Sequence, residues 1–235
     1  KSVTQRAWRV SRKPGAIQSD LERPDHFHLR DTDCCYFWGE YTPYEHTDGR
    51  KWNYSSTNQL INNLKKKMDR AGQMDWQYKQ RAIEEVAYAL SQMWRWDELK
   101  AYNPALIPMP PSKSRSDAMY DPRMVQILHS VAKKVGMALD IRDCLSFDGS
   151  TGASHETENR PSPERLYQSL SIETASIQRD RRPGVIFIFD DMLTTGAHFI
   201  AAARRINEVF PGVQVVGMFV ARRRVPNPLD EFDAL

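Results

Sequence analysis

Val185-Ile-Phe-Ile-Phe-Asp-Asp-Met-Leu-Thr-Thr-Gly196 opens with a continuous apolar run, the composition of a β-strand buried on both faces. Two adjacent carboxylates, Asp190 and Asp191, follow where that strand is expected to end. Such a pair can accept hydrogen bonds from vicinal sugar hydroxyls, directly or through a hard divalent cation such as Mg²⁺. Thr194, Thr195, Gly196, Ala197 and His198 then read as a tight turn entering a helix over Phe199, Ala202, Ala203 and Ile206. Unpaired amides and the positive end of the helix dipole there suit a phosphate, with Gly196 letting the backbone come close.

The flanking sequence alternates strand and helix, the pattern of a parallel sheet covered on both faces. Val213 to Val220 predicts one further strand and Ala105 to Met109 another. Asp121 is read as the cap of a helix with Pro122 in its first turn, Met124, Val125, Leu128, Val131, Ala132 and Val135 on one face, and Gly136 as its stop. Ala138 to Arg142 predicts a second strand of the core. Residues ~145 to ~180 have no sustained period and read as a long functional or mobile excursion.

Upstream, Leu60, Ile61, Leu64 and Met68 repeat at helical spacing behind a cap near Ser56 or Thr57. A second helix is expected from about Trp76 to Trp94, with Ala82, Ile83, Val86, Ala87 and Leu90 in its apolar stripe. The expected organisation is an aromatic-rich N-terminal extension over 1–55, hood-like or partner-binding, a helical segment over 56–96, and an α/β core over 97–235.

The stretch Ile186 to Ala197 resembles the phosphoribosyl-pyrophosphate signature of type I phosphoribosyltransferases: four apolar residues, two acidic, two apolar, then Thr-Thr-Gly. The fold so implied is a type I phosphoribosyltransferase-like parallel sheet flanked by helices. The closest likeness is to the competence-protein-F (ComF) branch, where a strand ending in Pro-x-Pro leads to a basic serine-rich loop. Ile107-Pro-Met-Pro-Pro-Ser-Lys-Ser-Arg-Ser116 looks like that loop. The resemblance implies pyrophosphate contacts from Ser112, Lys113, Ser114, Arg115 and Ser116, with charge from the cations and hydroxyls from the serines. It likewise implies 5-phosphate contacts from Thr194, Thr195, Gly196, Ala197 and His198. Asp190 and Asp191 become the catalytic and Mg²⁺-holding pair, and Arg160 and Arg165 candidates in a mobile loop. The resemblance spans about residues 55 to 221, strongly at 185 to 197 and loosely elsewhere.

The chain departs from the family at two positions. His198 stands where Thr or Ser is usual, and as a cation it would help hold a phosphate. Thr194 stands where some purine-salvaging members place a carboxylate base, which makes purine salvage a poorer fit. The four-cysteine zinc site common in the branch is not matched, because Cys34 and Cys35 are adjacent. With His26, His28 and His46 nearby, a Cys/His metal site is the alternative to buried thiols beside Tyr36, Phe37 and Trp38.

Composition bounds the function. Thirty-three basic against 30 acidic residues leave a formal charge of +3, so bulk charge makes no case for nucleic-acid binding. The local clusters Lys65-Lys66-Lys67 and Arg222-Arg223-Arg224 read first as solvated faces. With the N-terminal aromatics they are also compatible with a single-stranded nucleic-acid partner. Three cysteines do not make a disulfide framework, no run of ~18 apolar residues exists to span a bilayer, and Arg6, Arg9, Arg12 and Lys13 occupy the place of a signal peptide's apolar stretch. A soluble cytoplasmic protein with no membrane partner is expected. The leading expectation for activity is a glycosyltransferase acting on phosphoribosyl pyrophosphate. Alternatives are an effector or nucleotide-sensing subunit of an anti-phage, retron-type defence complex, and a nucleic-acid-uptake accessory protein.

Overall fold

The computed structural model describes residues 14–17, 22–150, 161–177 and 181–226. Its centre is a mixed, mostly parallel sheet flanked by helices on both faces, an α/β architecture. In chain order the strands are β1 (Gly15–Ala16), β2 (Cys34–Tyr41), β3 (Pro104–Pro108), β4 (Leu145–Phe147), β5 (Leu170–Ile172), β6 (Val185–Leu193) and β7 (Gln214–Arg223). The helices are α1 (Ser56–Leu64), α2 (Trp76–Ser91), α3 (Trp96–Leu99), α4 (Arg123–Val135), α5 (Pro163–Ser169), α6 (Thr174–Ile177) and α7 (Ala197–Val209).

The main sheet runs β1-β2-β7-β6-β3, parallel throughout except for the short β1. Strand β6 is central because its sequence is apolar on both sides. Ile186 and Ile188 pack toward α5 and α7, while Phe187 and Phe189 pack toward α1, α2 and α4. Each fully buried side chain of this size is worth about 1.5–3 kcal/mol of transfer free energy. The aromatic N-terminal region is part of this sheet: Cys34–Tyr41 pairs in parallel with β7, with Glu40 opposite Arg222.

Several expected boundaries move. Ala138 to Arg142 forms no ladder; a single parallel bridge joins Ile141 to Leu106, with the Leu106 and Arg142 amides donating to the Asp140 and Leu106 carbonyls. Pairing ends there because the next amide, that of Cys144, donates to the Arg142 carbonyl within the segment, while the Arg142 side chain is drawn to Asp140. Helix α1 stops at Leu64, short of Met68, and its cap is the Ser55 hydroxyl, which accepts from the Asn58 amide. Helix α2 ends at Ser91, leaving Trp94 to pack against Trp96 and Phe187. The excursion over ~145 to ~180 contains the antiparallel pair β4 and β5 with α5 and α6. Among the described residues no helix is long and apolar enough to cross a membrane.

The connectivity places a topological switch point. From β3 the chain passes through α4 to the Ile141 bridge on one side of β3, then returns to β6 on the other. Strand order therefore reverses between β3 and β6. In open α/β sheets ligands bind at such a switch point, outside the C-terminal ends of the strands.

Candidate functional site

Two loops leave the sheet at that edge, one after β3 and one after β6, from neighbouring parallel strands in register at Pro108 and Phe189. They carry Ser112 to Ser116 and Thr194 to His198 respectively. The acidic pair sits inside β6 rather than after it, since Asp190 is in register with Phe219 and the ladder continues to Leu193 opposite Arg222. This corrects the expected strand end.

The two carboxylates have different surroundings. Asp191 is nearly buried, and both of its oxygens are taken: Lys65 Nζ lies 3.1 Å from Oδ1, and Arg123 Nε donates to Oδ2 at 2.7 Å. Burial alone would raise its pKa, but the Arg123 and Lys65 cations outweigh that and hold it well below the usual carboxylate range. Asp190 accepts the Asp191 amide at 2.7 Å. Burial, reinforced by the neighbouring Asp191 charge, pushes its pKa up to about 7.

Arg123 does not stand alone. Its Nη1 donates to Asp121 Oδ2 at 2.8 Å, and the same oxygen takes Lys79 Nζ at 2.7 Å. Lys79 also donates to the Leu64 and Lys66 carbonyls at 2.6 and 3.1 Å, satisfying acceptors at the C-terminal end of α1. A polar chain thus runs Lys79, Asp121, Arg123, Asp191, Lys65 through the layer of α1, α2 and α4. Asp121 was expected to cap α4. The helix instead starts at Arg123 with no side-chain cap, because the Asp121 carboxylate is drawn to two cations.

The turn after β6 is close to its expected form. Gly196 is the left-handed N-cap of α7 at φ 90° and supplies no side-chain cap; the first-turn amides have no intrahelical acceptor, and that of Ala197 donates to the Thr195 hydroxyl at a long 3.5 Å. The N-terminal region lies against the other side of this turn. His26 Nδ1 bonds the Thr194 carbonyl, the His28 amide donates to the Thr195 carbonyl at 3.0 Å, and a Cβ on Gly196 would sit 2.7 Å from Leu29 Cδ2. Gly196→Ala is therefore expected to destabilise the fold by about 1–3 kcal/mol, from left-handed strain and the Leu29 clash together. An unchanged thermal midpoint in that variant would contradict this placement.

His198 is half-buried, its ring edge-on to Phe147 at 5.7 Å between centroids. Desolvation, with Lys65 adding to it, lowers its pKa to about 4. The expected cationic contact to phosphate is thus not preformed; the ligand-free imidazole is neutral.

The β3 loop is more committed than its sequence suggests. Arg115 makes a bidentate pair with Asp143 at 2.7 and 2.8 Å and also donates to the Leu145 carbonyl. Lys113 is exposed, 3.7 Å from Asp117, and the Ser114 and Ser116 hydroxyls meet at 3.2 Å. Arg165 is exposed on the first turn of α5. Arg160 lies outside the described residues.

The basic clusters are also paired. Arg222 and Arg224 both bind Glu40, at 2.6 and 2.9 Å, and Arg223 lies 3.6 Å from Glu45. Lys66 pairs with Asp75 at 3.1 Å. Cys35 is buried, which pushes its thiol pKa up, and among the described residues no group of three or more Cys, His, Asp or Glu could hold a metal ion.

The donor set does not fit a resident Mg²⁺. That ion favours carboxylate and phosphate oxygens in near-ideal octahedral geometry. Here both Asp191 oxygens are taken by cations, and one Asp190 oxygen already accepts the Asp191 amide. A Mg²⁺ reaching this edge would come on the ligand's own phosphate oxygens.

Sequence reading missed Lys65 and Arg123 as members of the site. Local sequence marks neither: Lys65 falls inside the helix expected through Met68, within a run of three lysines, and Arg123 follows Pro122 in the first turn of an amphipathic helix, whereas the structure puts both at helix ends beside β6. The chain matches no protein-family model, and no curated protein sequence matches it significantly.

Proposed function

We propose that the protein binds phosphoribosyl pyrophosphate or a ribose-5-phosphate nucleotide at the C-terminal ends of β3 and β6, with phosphoribosyltransferase-type chemistry at ribose C1. The observation that carries this reading is the coincidence of the strand-order switch point, the Asp190 carboxyl and the glycine-capped α7 N-terminus behind Thr194–Gly196. In this reading the amides of Thr195 to His198 receive the 5-phosphate and Asp190 receives a ribose hydroxyl. Lys113 and the serine hydroxyls of the β3 loop meet pyrophosphate. Transfer would break the C1–O bond to pyrophosphate and form a bond from C1 to the acceptor, the protein chiefly positioning the partners and stabilising charge.

A second reading has one specific observation in its favour. Arg115 is already held by Asp143 and Leu145, so the pyrophosphate half is weaker in available charge than the 5-phosphate half. That favours a nucleotide-sensing or effector subunit, which needs a monophosphate grip without turnover.

Binding of labelled phosphoribosyl pyrophosphate and of a nucleoside monophosphate to wild type and Asp190→Asn separates these readings. Wild type is expected to bind at least one of them, and Asp190→Asn to lose roughly tenfold or more in affinity, the scale of a hydrogen bond to a charged or strongly polar group. Equal binding by the folded variant would remove Asp190 from the site. Binding without pyrophosphate release over a panel of nucleobases would favour sensing.

A further inference from the structure

We propose that Lys65 and Arg123 stand in for a divalent cation at Asp191, so that ribose-phosphate binding at this edge needs no metal held by the protein. This rests on the ribose-phosphate reading above. A buried aspartate inside such a strand can be balanced in two ways, by a metal ion or by fixed cations. Here the second is built in. Lys65 Nζ contacts Oδ1 at 3.1 Å and Arg123 Nε contacts Oδ2 at 2.7 Å, leaving neither oxygen without a cation.

The arrangement is held from behind. Arg123 is fixed at its other end by Asp121, and Asp121 by Lys79, whose side chain is 1% exposed and is tied to two carbonyls at the C-terminal end of α1. Lys65 follows directly on α1, and its amide donates to the Ile61 carbonyl at 2.9 Å. Arg123 cannot leave Asp191 without also disturbing its bond to Asp121, and Lys65 is carried to Asp191 by its place at the end of α1. A divalent ion would have to displace at least one of them, and two fixed positive charges beside the site oppose its approach. The same charges favour the phosphate-bearing ligand. Lys65 and Arg123 are positioning residues in this account: they neutralise Asp191, so that its charge does not repel the phosphate-bearing ligand.

The test uses the full chain and two probes. Mn²⁺ is titrated into ligand-free protein and followed by electron paramagnetic resonance, and ribose 5-phosphate, which lacks a pyrophosphate to chelate metal, is titrated calorimetrically with EDTA or with Mg²⁺. Wild type is expected to show no Mn²⁺ site that Asp191→Asn removes, and the same ribose 5-phosphate affinity in both buffers. Lys65→Ala is expected to gain a Mn²⁺ site that disappears in Lys65→Ala/Asp191→Asn. It should also bind ribose 5-phosphate roughly tenfold more weakly in EDTA and recover in Mg²⁺. Lys65→Gln, which keeps a donor but no charge, replaces Lys65→Ala if that variant does not fold.

An Asp191-dependent Mn²⁺ site in wild type overturns the proposal. So does loss of wild-type ribose 5-phosphate binding in EDTA, or a folded Lys65 variant that gains no metal. If ribose 5-phosphate binds under no condition, the ribose-phosphate reading fails, while the Mn²⁺ titrations still decide whether the cations exclude a metal.

Discussion

Lys79→Met is expected to destabilise the protein by about 3–5 kcal/mol, because removing one partner of a buried ion pair strands the other. Lys79 lies between α1, α2 and the start of α4, and its ammonium serves Asp121 and the carbonyls of Leu64 and Lys66 together. Desolvation outweighs Asp121 in setting its pKa, which is lowered, so the ammonium is held there by geometry at an electrostatic cost. Asp121 would keep Arg123 in the variant, which places the loss toward the lower end of that range. Urea unfolding should show a lower midpoint at unchanged m-value. Lys79→Met combined with Asp121→Asn should cost less than the sum of the two single changes. Strictly additive losses would mean that the chain of charges behind Asp191 is not coupled.

Arg142→Met is expected to cost a similar amount, about 3–5 kcal/mol, and to loosen the excursion between the Ile141 bridge and β6. The Arg142 side chain is 1% exposed. It binds the Asp140 carboxylate, at 2.6 Å from one guanidinium nitrogen, and donates to the carbonyls of Ile177 and Arg181, the latter at 3.0 Å. One side chain therefore fastens the start of the excursion to its return. Hydrogen exchange over 143–150 and 161–177 should accelerate in the variant while β6 and β7 stay protected. Uniform acceleration across the sheet would instead mark a global loss, and no change would show the fastening to be redundant.

Strand β6 and helices α2, α4 and α7 were legible because each carries a periodic or continuous apolar signal within its own residues. The Gly196 turn was legible for the same reason, since only local chemistry makes it. What escaped reading depends on partners distant in sequence. Asp191 meets Lys65 from 126 residues upstream and Arg123 from 68, and nothing local in Asp-Asp says which carboxylate will be neutralised. Asp121 before Pro122 has the composition of a helix cap, yet Lys79, 42 residues away, competes for it and wins. Arg115 looked available for an anion because its serine-rich neighbours gave no sign of Asp143. The aromatic segment at Cys34–Tyr41 alternates in burial as a strand should, but its neighbour, β7, comes from the far end of the chain.

The hydrogen bonds from His26 and His28 to the carbonyls of Thr194 and Thr195 make the N-terminal region one mechanical unit with the β6 turn. The amides of a turn and its carbonyls belong to the same peptide planes, so turning the amides toward an anion re-aims the carbonyls that hold the histidines. Coupling of that kind is reciprocal. Whatever free energy a ligand spends in reshaping the turn is felt at residues 26–29, and a force applied at residues 26–29 returns to the ligand as a change in its residence time.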